Sequence, residues 1–389
     1  MKTILNLFLT IFVVLNAQNS IISGFISDSS SGEALIGANI FLQETGQGMA
    51  TDINGYYIIQ DIVPGNYTIM VSYVGYEMFK KQISFSSDES KKIDISLLEQ
   101  VVELTEIEVT AESLQRRNNI QPSKINLSPR MMKAAPALAE PDLFRTIQAL
   151  PGVLTTSEYS TGLVIRGGNT DQNLIMLDGI TVYNPSHLGG VFSNFIVDGV
   201  KEAELIKGAY NAEYGGRLSA VLNVISREGN ENEFKGKANL SLLSAQTTLE
   251  GPFYKGAWVL SGRRTYFDLV LPKVLPENVA TNIPPYYFYD IQSHVFSDIT
   301  SKDRVSLSYY SGIDDIIFDT FGLDGRWGNN TISGHYRRVF NERLVGNFLL
   351  ANSRFFTEFG LGGDYGLVSF NEIDDITLSG DFSWFKSSN

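Results

Sequence analysis

Residues 165–179 read IRGGNTDQNLIMLDG, and this stretch decides how the middle of the chain is interpreted. The stretch has two short apolar runs, and each of them is followed by glycine within a few residues. A turn rich in Asn and Asp lies between the two runs. Because glycine reaches backbone conformations that other residues avoid, the stretch predicts tight turns between short strands. Gly167-Gly168 lacks the Gly-Lys-Ser/Thr ending of a phosphate-binding loop. No nucleophile, base and orienting group accompany Arg166, so a buried ion pair with Asp178 is the favoured role.

The surrounding residues predict a compact α+β unit over residues 131–230. Residues 141–150 place their apolar side chains on one helical face, between Pro141 and the stop at Pro151-Gly152. Strand-like runs follow at residues 163–166, 174–177, 203–206 and 218–225. A unit this small and this rich in glycine does not fit a doubly wound nucleotide-binding fold.

The chain begins with the pattern of an export signal. Lys2 precedes an apolar run at residues 4–15, which is too short to cross a bilayer comfortably, and Ala17 follows. Residues 1–17 are therefore predicted to be a secretory signal peptide. The 389 residues include no cysteine, which excludes disulfides, thiol catalysis and cysteine-bound metals. Export without cysteine favours a bacterial envelope protein.

Residues 18–98 predict a small all-β sandwich. Short alternating runs recur at close spacing, and in residues 66–73 the odd-numbered side chains are apolar or aromatic and share one face. The segment resembles the carboxypeptidase-regulatory-like domain, a prealbumin-like sandwich, in Thr51-Asp52-Ile53-Asn54-Gly55-Tyr56, Pro64-Gly65-Asn66-Tyr67 and Val74-Gly75-Tyr76. A zinc peptidase site is not expected, because all three histidines of the chain lie outside the segment.

Residues 99–130 predict an exposed linker, since they mix acidic, polar and proline residues without a sustained period. One extended patch within it alternates apolar and acidic side chains. It consists of Thr105, Glu106, Ile107, Glu108, Val109, Thr110 and Ala111. On composition alone, this patch is either the last strand of the sandwich or a peptide that adds to the sheet of another protein.

Residues 231–389 predict strands of a transmembrane antiparallel β-barrel. In residues 287–298 and 376–385, aromatic and aliphatic side chains share one face, and charged or hydroxyl side chains share the other. This arrangement suits lipid outside and water inside, whereas a water-soluble sandwich has the same period with the faces reversed. A short turn at residues 301–303 beside a long acidic loop expected at residues 311–330 favours the membrane.

The length of this last region leads to a further expectation. Plugged outer-membrane barrels have about 22 strands. Residues 231–389 have room for roughly a third of that number. The sequence is therefore expected to be a fragment of a longer reading frame.

Four motifs follow one another in residues 150–229: LPGV, VIRGGNTDQNLIMLDGITVYNP, VKEAELIKG and AEYGGRLSAVLNVISREG. The residues that mark them are Arg166, Gly167, Gly168, Asp178, Gly179, Lys207, Gly208, Tyr214, Gly215, Gly216 and Arg217. In this order and spacing the motifs resemble the plug domain of TonB-dependent outer-membrane receptors. The likeness is strongest to the receptors of Bacteroidota, which carry an N-terminal carboxypeptidase-regulatory-like domain. The resemblance implies structural and gating roles for these residues.

The resemblance also implies a fold and a function. The fold is mainly β, with a prealbumin-like sandwich, an α+β plug and the first strands of a transmembrane barrel. The function is ligand-gated uptake of a nutrient across the bacterial outer membrane. The proton-motive force drives such uptake through TonB, acting with ExbB and ExbD, and residues 105–111 fall where the TonB box lies. The sandwich and the TonB-box segment would then lie in the periplasm.

The resemblance leaves the ligand open among small molecules, glycans and peptides, and a surface lipoprotein is a further partner that stays open. Outer-membrane lipid would surround the barrel. A net charge of -13 argues against a nucleic-acid partner. The alternative function is a non-transporting surface-binding or adhesin-like protein of the same membrane.

No catalytic residues, metal ligands or cofactor are indicated by the sequence. Asp52 and Asp61 lack the ligand spacing of an EF-hand. His187 is interpreted as a polar residue on a plug loop. An envelope enzyme is therefore the least favoured of the three functions.

Overall fold

The computed structural model describes residues 20–100, 124–135, 140–157, 160–276, 285–318, 322–362 and 366–385. The predicted signal peptide and residues 105–111 lie outside these ranges. The chain divides into two compact units, Met1–Asn118 with Trp384–Asn389, and Asn119–Ser383. Among the described residues, no helix combines the length and the apolar character that crossing a membrane requires.

The first unit is the predicted β-sandwich. Its strands are β1 (Ser20–Asp28), β2 (Asn39–Leu42), β3 (Gly48–Ala50), β4 (Tyr56–Ile62), β5 (Gly65–Ser72), β6 (Phe79–Phe85), β7 (Ser90–Lys92) and β8 (Ile95–Leu97). Strands β4, β1 and β7 form one sheet, in which β8 also pairs with β1, and β3, β2, β5 and β6 form the other. Ile22, Ile40 and Ile69 meet in the core between the sheets. Ile69 and Val71 are fully buried, which confirms the face predicted for residues 66–73.

The second unit begins with an α+β region at residues 124–230, called the plug region. Its elements are β9 (Lys124–Leu127), α1 (Pro129–Ala134), α2 (Leu143–Gln148), β10 (Val153–Thr155), β11 (Leu163–Ile165), β12 (Leu174–Leu177), β13 (Ile180–Thr181), β14 (Ser186–His187), β15 (Phe192–Ser193), β16 (Val200–Ile206) and β17 (Val221–Ser226). A five-stranded sheet has the order β13-β12-β17-β16-β9. Both helices pack on this sheet, with Met132 and Phe144 in the same core as Val224.

The predicted amphipathic helix is present as α2 and has a specific start. The carboxylate of Asp142 caps it by accepting a hydrogen bond of 3.0 Å from the backbone N–H of Arg145. Leu143, Phe144 and Ile147 are buried on its inner face. The second carboxylate oxygen of Asp142 accepts from the N–H of Ser193, at 2.7 Å. One side chain thus fixes the helix and the neighbouring β15 together.

The rest of the second unit is an eight-stranded antiparallel sheet, called the barrel sheet, whose strands pair in chain order. They are β18 (Lys235–Leu240), β19 (Ser244–Pro252), β20 (Ala257–Thr265), β21 (Tyr286–Asp298), β22 (Asp303–Phe318), β23 (Leu323–Asn341), β24 (Leu344–Leu361) and β25 (Leu367–Trp384), with α3 (Phe267–Val274) between β20 and β21. The plug region lies against one face of this sheet. For example, Gln292 donates to the carbonyl of Gly199, and Ser353 donates to the carbonyl of Thr181.

The two faces of the barrel sheet decide between the two structures that its period allows. The face toward the plug region is polar and buried, as at Ser308 and Ser333. The opposite face is apolar and exposed, with Leu307 49% and Leu350 60% accessible. A water-soluble sandwich would bury the apolar face. The reversal matches a transmembrane barrel with a polar interior.

The long acidic loop expected at residues 311–330 is wrong. Strands β22 and β23 run through most of this stretch, and their ladder pairs Ser311 with Asn330 and Asp314 with Trp327. Acidic residues and glycines hid the alternation, because Asp314 is a strand residue facing the polar interior rather than a loop residue facing solvent. The longer connection joins β20 to β21 and holds α3.

Candidate functional site

A cluster of buried charges joins the plug region to the barrel sheet. Its members, together called the charge cluster, are Glu140, His187, Arg263, Asp290 and Asp314. None of the five is more than 3% exposed. Glu140 and His187 belong to the plug region, while the other three lie on β20, β21 and β22. Buried charges are costly unless they are paired, so each contact inside the cluster bears on stability.

Arg263 lies between two carboxylates. Its Nη1 donates to Glu140 Oε1 at 2.8 Å, and its Nε donates to Asp290 Oδ2 at 2.8 Å. Its Nη2 also donates to the carbonyl of Ser193, at 2.7 Å. Because Glu140 and Ser193 belong to the plug region and Asp290 to the barrel sheet, one guanidinium fastens the two parts to each other.

His187 makes the second connection. Its ring stacks on Phe288 with centroids 4.0 Å apart and planes at 7°. Nδ1 lies 2.7 Å from Asp314 Oδ2, and Nε2 lies 2.9 Å from Asp290 Oδ1. Burial alone would lower the pKa of His187, but the two carboxylates outweigh it and the pKa is raised. The interpretation of His187 as a polar loop residue is therefore wrong, since it is a fully buried strand residue between two acids.

The backbone next to His187 is held in unusual conformations. Leu188 has a φ of 50°, and Gly189 and Gly190 have φ of 62° and 105°. The N–H of Leu188 lies 3.0 Å from Asp314 Oδ1 and 2.9 Å from the hydroxyl oxygen of Tyr286. A left-handed leucine is disfavoured on its own, so these barrel contacts help to hold the turn between β14 and β15.

Neighbouring side chains complete the hydrogen bonding of the two aspartates. The hydroxyl of Tyr286 donates to Asp314, and the hydroxyl of Tyr310 donates to Asp290 Oδ1 at 3.3 Å. Gly312 provides the space for this arrangement. A Cβ there would lie 2.6 Å from Asp290 Oδ1 and 2.1 Å from the Tyr310 hydroxyl. Any larger residue at position 312 would displace the cluster.

The predicted ion pair between Arg166 and Asp178 is wrong. The carboxylate of Asp178 instead accepts from the N–H of Ser226 at 2.8 Å and from its hydroxyl at 2.7 Å. Arg166 is exposed and has a left-handed φ of 49°, in the turn that follows β11. The two residues lie in different turns. Through these hydrogen bonds, Asp178 connects the end of β12 to the end of the neighbouring strand β17.

The remaining motif residues lie in turns of the plug region and not in the charge cluster. Gly167, Gly179, Gly208 and Gly216 have φ between 77° and 87°, where a side chain would be strained. A Cβ on Gly168 would lie 2.4 Å from Ser219 Oγ. Lys207 Nζ donates to the carbonyl of Pro151 at 2.8 Å. Tyr214 packs on a small apolar cluster, Gly215 follows it, and Arg217 Nη1 donates to the carbonyl of Gly216 at 2.9 Å.

An edge strand forms the border of the plug region toward the linker. Among the described strands, β9 pairs with β16 alone, and an ion pair joins Lys124 to Glu204 across the ladder. Glu202 on β16 is 8% exposed. Burial raises the pKa of Glu202 to about 7, although Lys124 and Lys201 lower it and Asn126 on β9 hydrogen-bonds to it.

This raised pKa predicts a plug sheet that weakens as the pH rises. Between about 4.5 and about 7 the folded state retains a proton on Glu202 that the unfolded state has lost, so stability falls over this window by up to roughly 3 kcal/mol. Glu202→Gln should abolish this part of the pH dependence and protect the β9 and β16 amides at pH 8. Hydrogen exchange, corrected for intrinsic rates, measures the effect. The exposed Glu233→Gln is the matched control, and equal slopes in wild type and Glu202→Gln would contradict the prediction.

A cavity of about 460 Å³ lies between the plug region and strands β24 and β25. Its wall includes Thr161, Asn173, Tyr183, Ser186, Arg217 and Phe355. Asn173 is 7% exposed, and its Oδ1 has no hydrogen-bond donor among the described residues. This wall therefore offers hydroxyl, amide, aromatic and charged groups among apolar side chains. Within the described ranges, no group of three or more His, Cys, Asp or Glu side chains is arranged to hold a metal ion.

The chain matches two family models. The CarboxypepD_reg-like domain matches residues 22–109, and the TonB-dependent Receptor Plug Domain matches residues 127–221. TonB-dependent receptor P26 of Formosa agariphila is 30% identical over 230 residues, which are 55% of this chain and 21% of that protein. TonB-dependent receptor SusC of Bacteroides thetaiotaomicron is 24% identical over 318 residues, which are 78% of this chain and 30% of that protein. The chain thus spans less than a third of these relatives.

A solved structure is similar in fold. The ferric enterobactin receptor PfeA of Pseudomonas aeruginosa superposes with a TM-score of 0.51 at 17% identity, over 68% of this chain and 46% of that one. At this identity the likeness concerns the fold, a plug region against a barrel sheet. The two domain matches and the sequence relatives show that the chain carries a CarboxypepD_reg-like domain and a TonB-dependent receptor plug domain and is similar to TonB-dependent receptors.

Proposed function

We propose that this chain is a fragment of a TonB-dependent outer-membrane receptor that carries out ligand-gated active uptake of a nutrient across the bacterial outer membrane, driven by the proton-motive force through TonB, ExbB and ExbD. The observation that carries the proposal is a plug region fastened to a polar barrel interior by buried charges. Such pairs are strong in place, yet they can be exchanged for water at modest net cost. A plug region held by such ion pairs closes the barrel and can still be displaced when force is applied.

The proposed route of the pull begins at residues 105–111. Their alternating pattern suits addition as an edge strand to the sheet of TonB, because backbone pairing supplies many hydrogen bonds. Strand β9 is the first described element of the plug region after this segment, and it is only four residues long. Tension from the linker would therefore reach the β9–β16 ladder and the ion pair of Lys124 with Glu204 first.

The plug motifs have structural and gating roles in this proposal. The turns at Gly167, Gly179, Gly208 and Gly216 keep the plug strands short and closely connected. Arg166 and Arg217 lie in such turns, and Arg217 also lines the cavity. We place the ligand, a small molecule, glycan or peptide, at this cavity.

The proposed divisions are a signal peptide at residues 1–17, a sandwich at 18–98, a linker at 99–130, a plug at 131–230 and barrel strands at 231–389. The end of the predicted linker differs from an exposed tether, because residues 124–130 form β9 and the start of α1 in the plug region. Lipid covers the exposed apolar face of the barrel sheet, and the sandwich and the TonB-binding segment lie in the periplasm. A surface lipoprotein would act on the extracellular side of the outer membrane, opposite the periplasmic sandwich.

The absence of cysteine gives a direct test in cells, because an introduced cysteine is the only thiol of the chain. Leu127→Cys on β9 is fully buried at rest. We expect its labelling to rise at least tenfold in energised cells with TonB, and to return to the resting rate with an uncoupler or without TonB. The exposed Ser301→Cys is the control for reagent access. If the labelling rate of Leu127→Cys is the same with and without TonB and the uncoupler, the result would favour the non-transporting, adhesin-like alternative.

A further inference from the structure

The β14–β15 hairpin has two different faces. Asn184, Ser186 and Gly190 contribute to the wall of the cavity. His187, between them, points the other way and is fully buried against the barrel strands. The hairpin is therefore the one described element that contributes both to the cavity wall and, through His187, to the charge cluster.

The hydrogen bonds of His187 define how many protons the closed hairpin holds. Ionised carboxylates only accept hydrogen bonds, and both ring nitrogens lie within 3.0 Å of a carboxylate oxygen. Both nitrogens therefore have to donate, which requires the imidazolium form. A neutral ring would turn a nitrogen lone pair toward Asp290 or Asp314 in a site without water contact.

The other groups around the ring do not supply this proton. On the barrel strands, Arg263 faces Asp290, and Tyr286 and Tyr310 donate their own hydrogens to the two aspartates. From the plug region, Glu140 and Asp142 approach Arg263 rather than the imidazole. A guanidinium stays charged, and the tyrosines already act as donors. The balance leaves one proton shared between His187 and its two carboxylates.

We propose that His187 is a positioning residue which, as an imidazolium between Asp290 and Asp314, latches the β14–β15 hairpin to the barrel wall, and that opening this latch releases one proton. This inference rests on the proposed function, because it concerns how the plug is held before uptake. The left-handed backbone at Leu188, Gly189 and Gly190 is a second observation that supports the latch. When the contacts to Asp314 break, the strained backbone of this turn is no longer held in place. The turn is then expected to relax, and the hairpin is expected to move away from the barrel wall.

The latch has a defined pH dependence. A histidine freed into water has a pKa near 6.5, whereas the latched His187 holds its proton to higher pH. The latch is therefore at full strength below about pH 6.5 and weakens as the pH rises toward the pKa of the closed state. Over this range the open fraction should increase by at most about tenfold for each pH unit, since one proton is released.

Ser193→Cys on β15 makes the opening measurable in the purified full chain. The side chain is fully buried, and Ser193 Oγ has no partner among the described residues, so a thiol replaces it without loss of a hydrogen bond. The rate of labelling, divided by that of the exposed Ser301→Cys, removes the titration of the thiol itself. We expect this ratio to rise with pH above 6.5, with a slope of at most about tenfold per unit.

Two variants at the latch complete the test. In the Ser193→Cys background, His187→Asn should label rapidly at every pH, because its amide is uncharged. His187→Lys should restore slow labelling without a slope, because its cation does not titrate in this range. A flat profile for Ser193→Cys with His187 intact, or the same slope after His187→Asn, would overturn the latch. The measurement needs neither ligand nor TonB, so a flat profile in a protein that still transports refutes the latch alone, and a steep profile without transport refutes only the proposed function.

Discussion

Replacing Arg263 by methionine is expected to unseat the plug region from the barrel sheet. The guanidinium pairs with Glu140 and Asp290, both of which are at most 3% exposed. Methionine fills a similar volume but leaves Glu140 buried without its cation, and leaves Asp290 with His187 as its remaining charged partner. Breaking one side of a buried ion pair costs roughly 3–5 kcal/mol. That is enough to change a closed plug into one that opens often.

The effect should be visible as a leak. Cells that produce Arg263→Met are expected to become sensitive to large antibiotics that the outer membrane normally excludes, and the plug region of the purified protein should be cut faster by protease. The neighbouring Arg264 provides the matched control. Its side chain is 41% exposed and pairs with Asp268, so Arg264→Met should cost about 1 kcal/mol or less. Equal behaviour of the two variants would contradict the proposed fastening role of Arg263.

Replacing Val109 or Ile107 by proline is expected to abolish uptake. Proline has no backbone N–H and cannot donate to a ladder, so a segment that pairs with TonB as a strand loses its register. Labelling of Leu127→Cys in energised cells should fall to the uncoupled rate. Val109→Thr keeps a β-branched side chain and the N–H, and should retain most of the activity. Normal energy-dependent labelling in the proline variants would refute strand addition at residues 105–111.

Local periodicity accounts for what could be predicted from the sequence. The sandwich strands and helix α2 follow from side-chain patterns only a few residues long, and the structure confirms them. The barrel sheet follows from the alternation in residues 287–298, where Asp290 and Gln292 are buried while Ile291 is 41% exposed. In each case the residues that decide the element are neighbours in the chain.

The charge cluster could not be found in this way. Arg263 and Glu140 are 123 residues apart, and His187 and Asp314 are 127 residues apart, so no local pattern connects them. The available signal was an acid within a strand of aromatic residues, at Asp290 in YYFYDIQ. An acid on the interior face of a barrel strand needs a partner from the plug. That argument requires the register, which the sequence alone does not provide.

The pairing predicted for Arg166 failed for a related reason. Arg166 and Asp178 are close in the chain and opposite in charge, but the turn between them sets their directions independently. Asp178 closes a turn onto Ser226, which follows in the sequence only after 48 residues. Turn geometry and strand order, rather than charge, decided the partner.

The shortness of β9 has a consequence for the time during which the membrane is open. A strand of four residues with one neighbour can re-form its ladder about as fast as a hairpin, in roughly 1–10 μs. Re-pairing of this strand is then no obstacle to closing once the pull ends. In the proposed uptake cycle, the leak would then be set by how long TonB holds the segment, and the cell would control its permeability from the inner membrane.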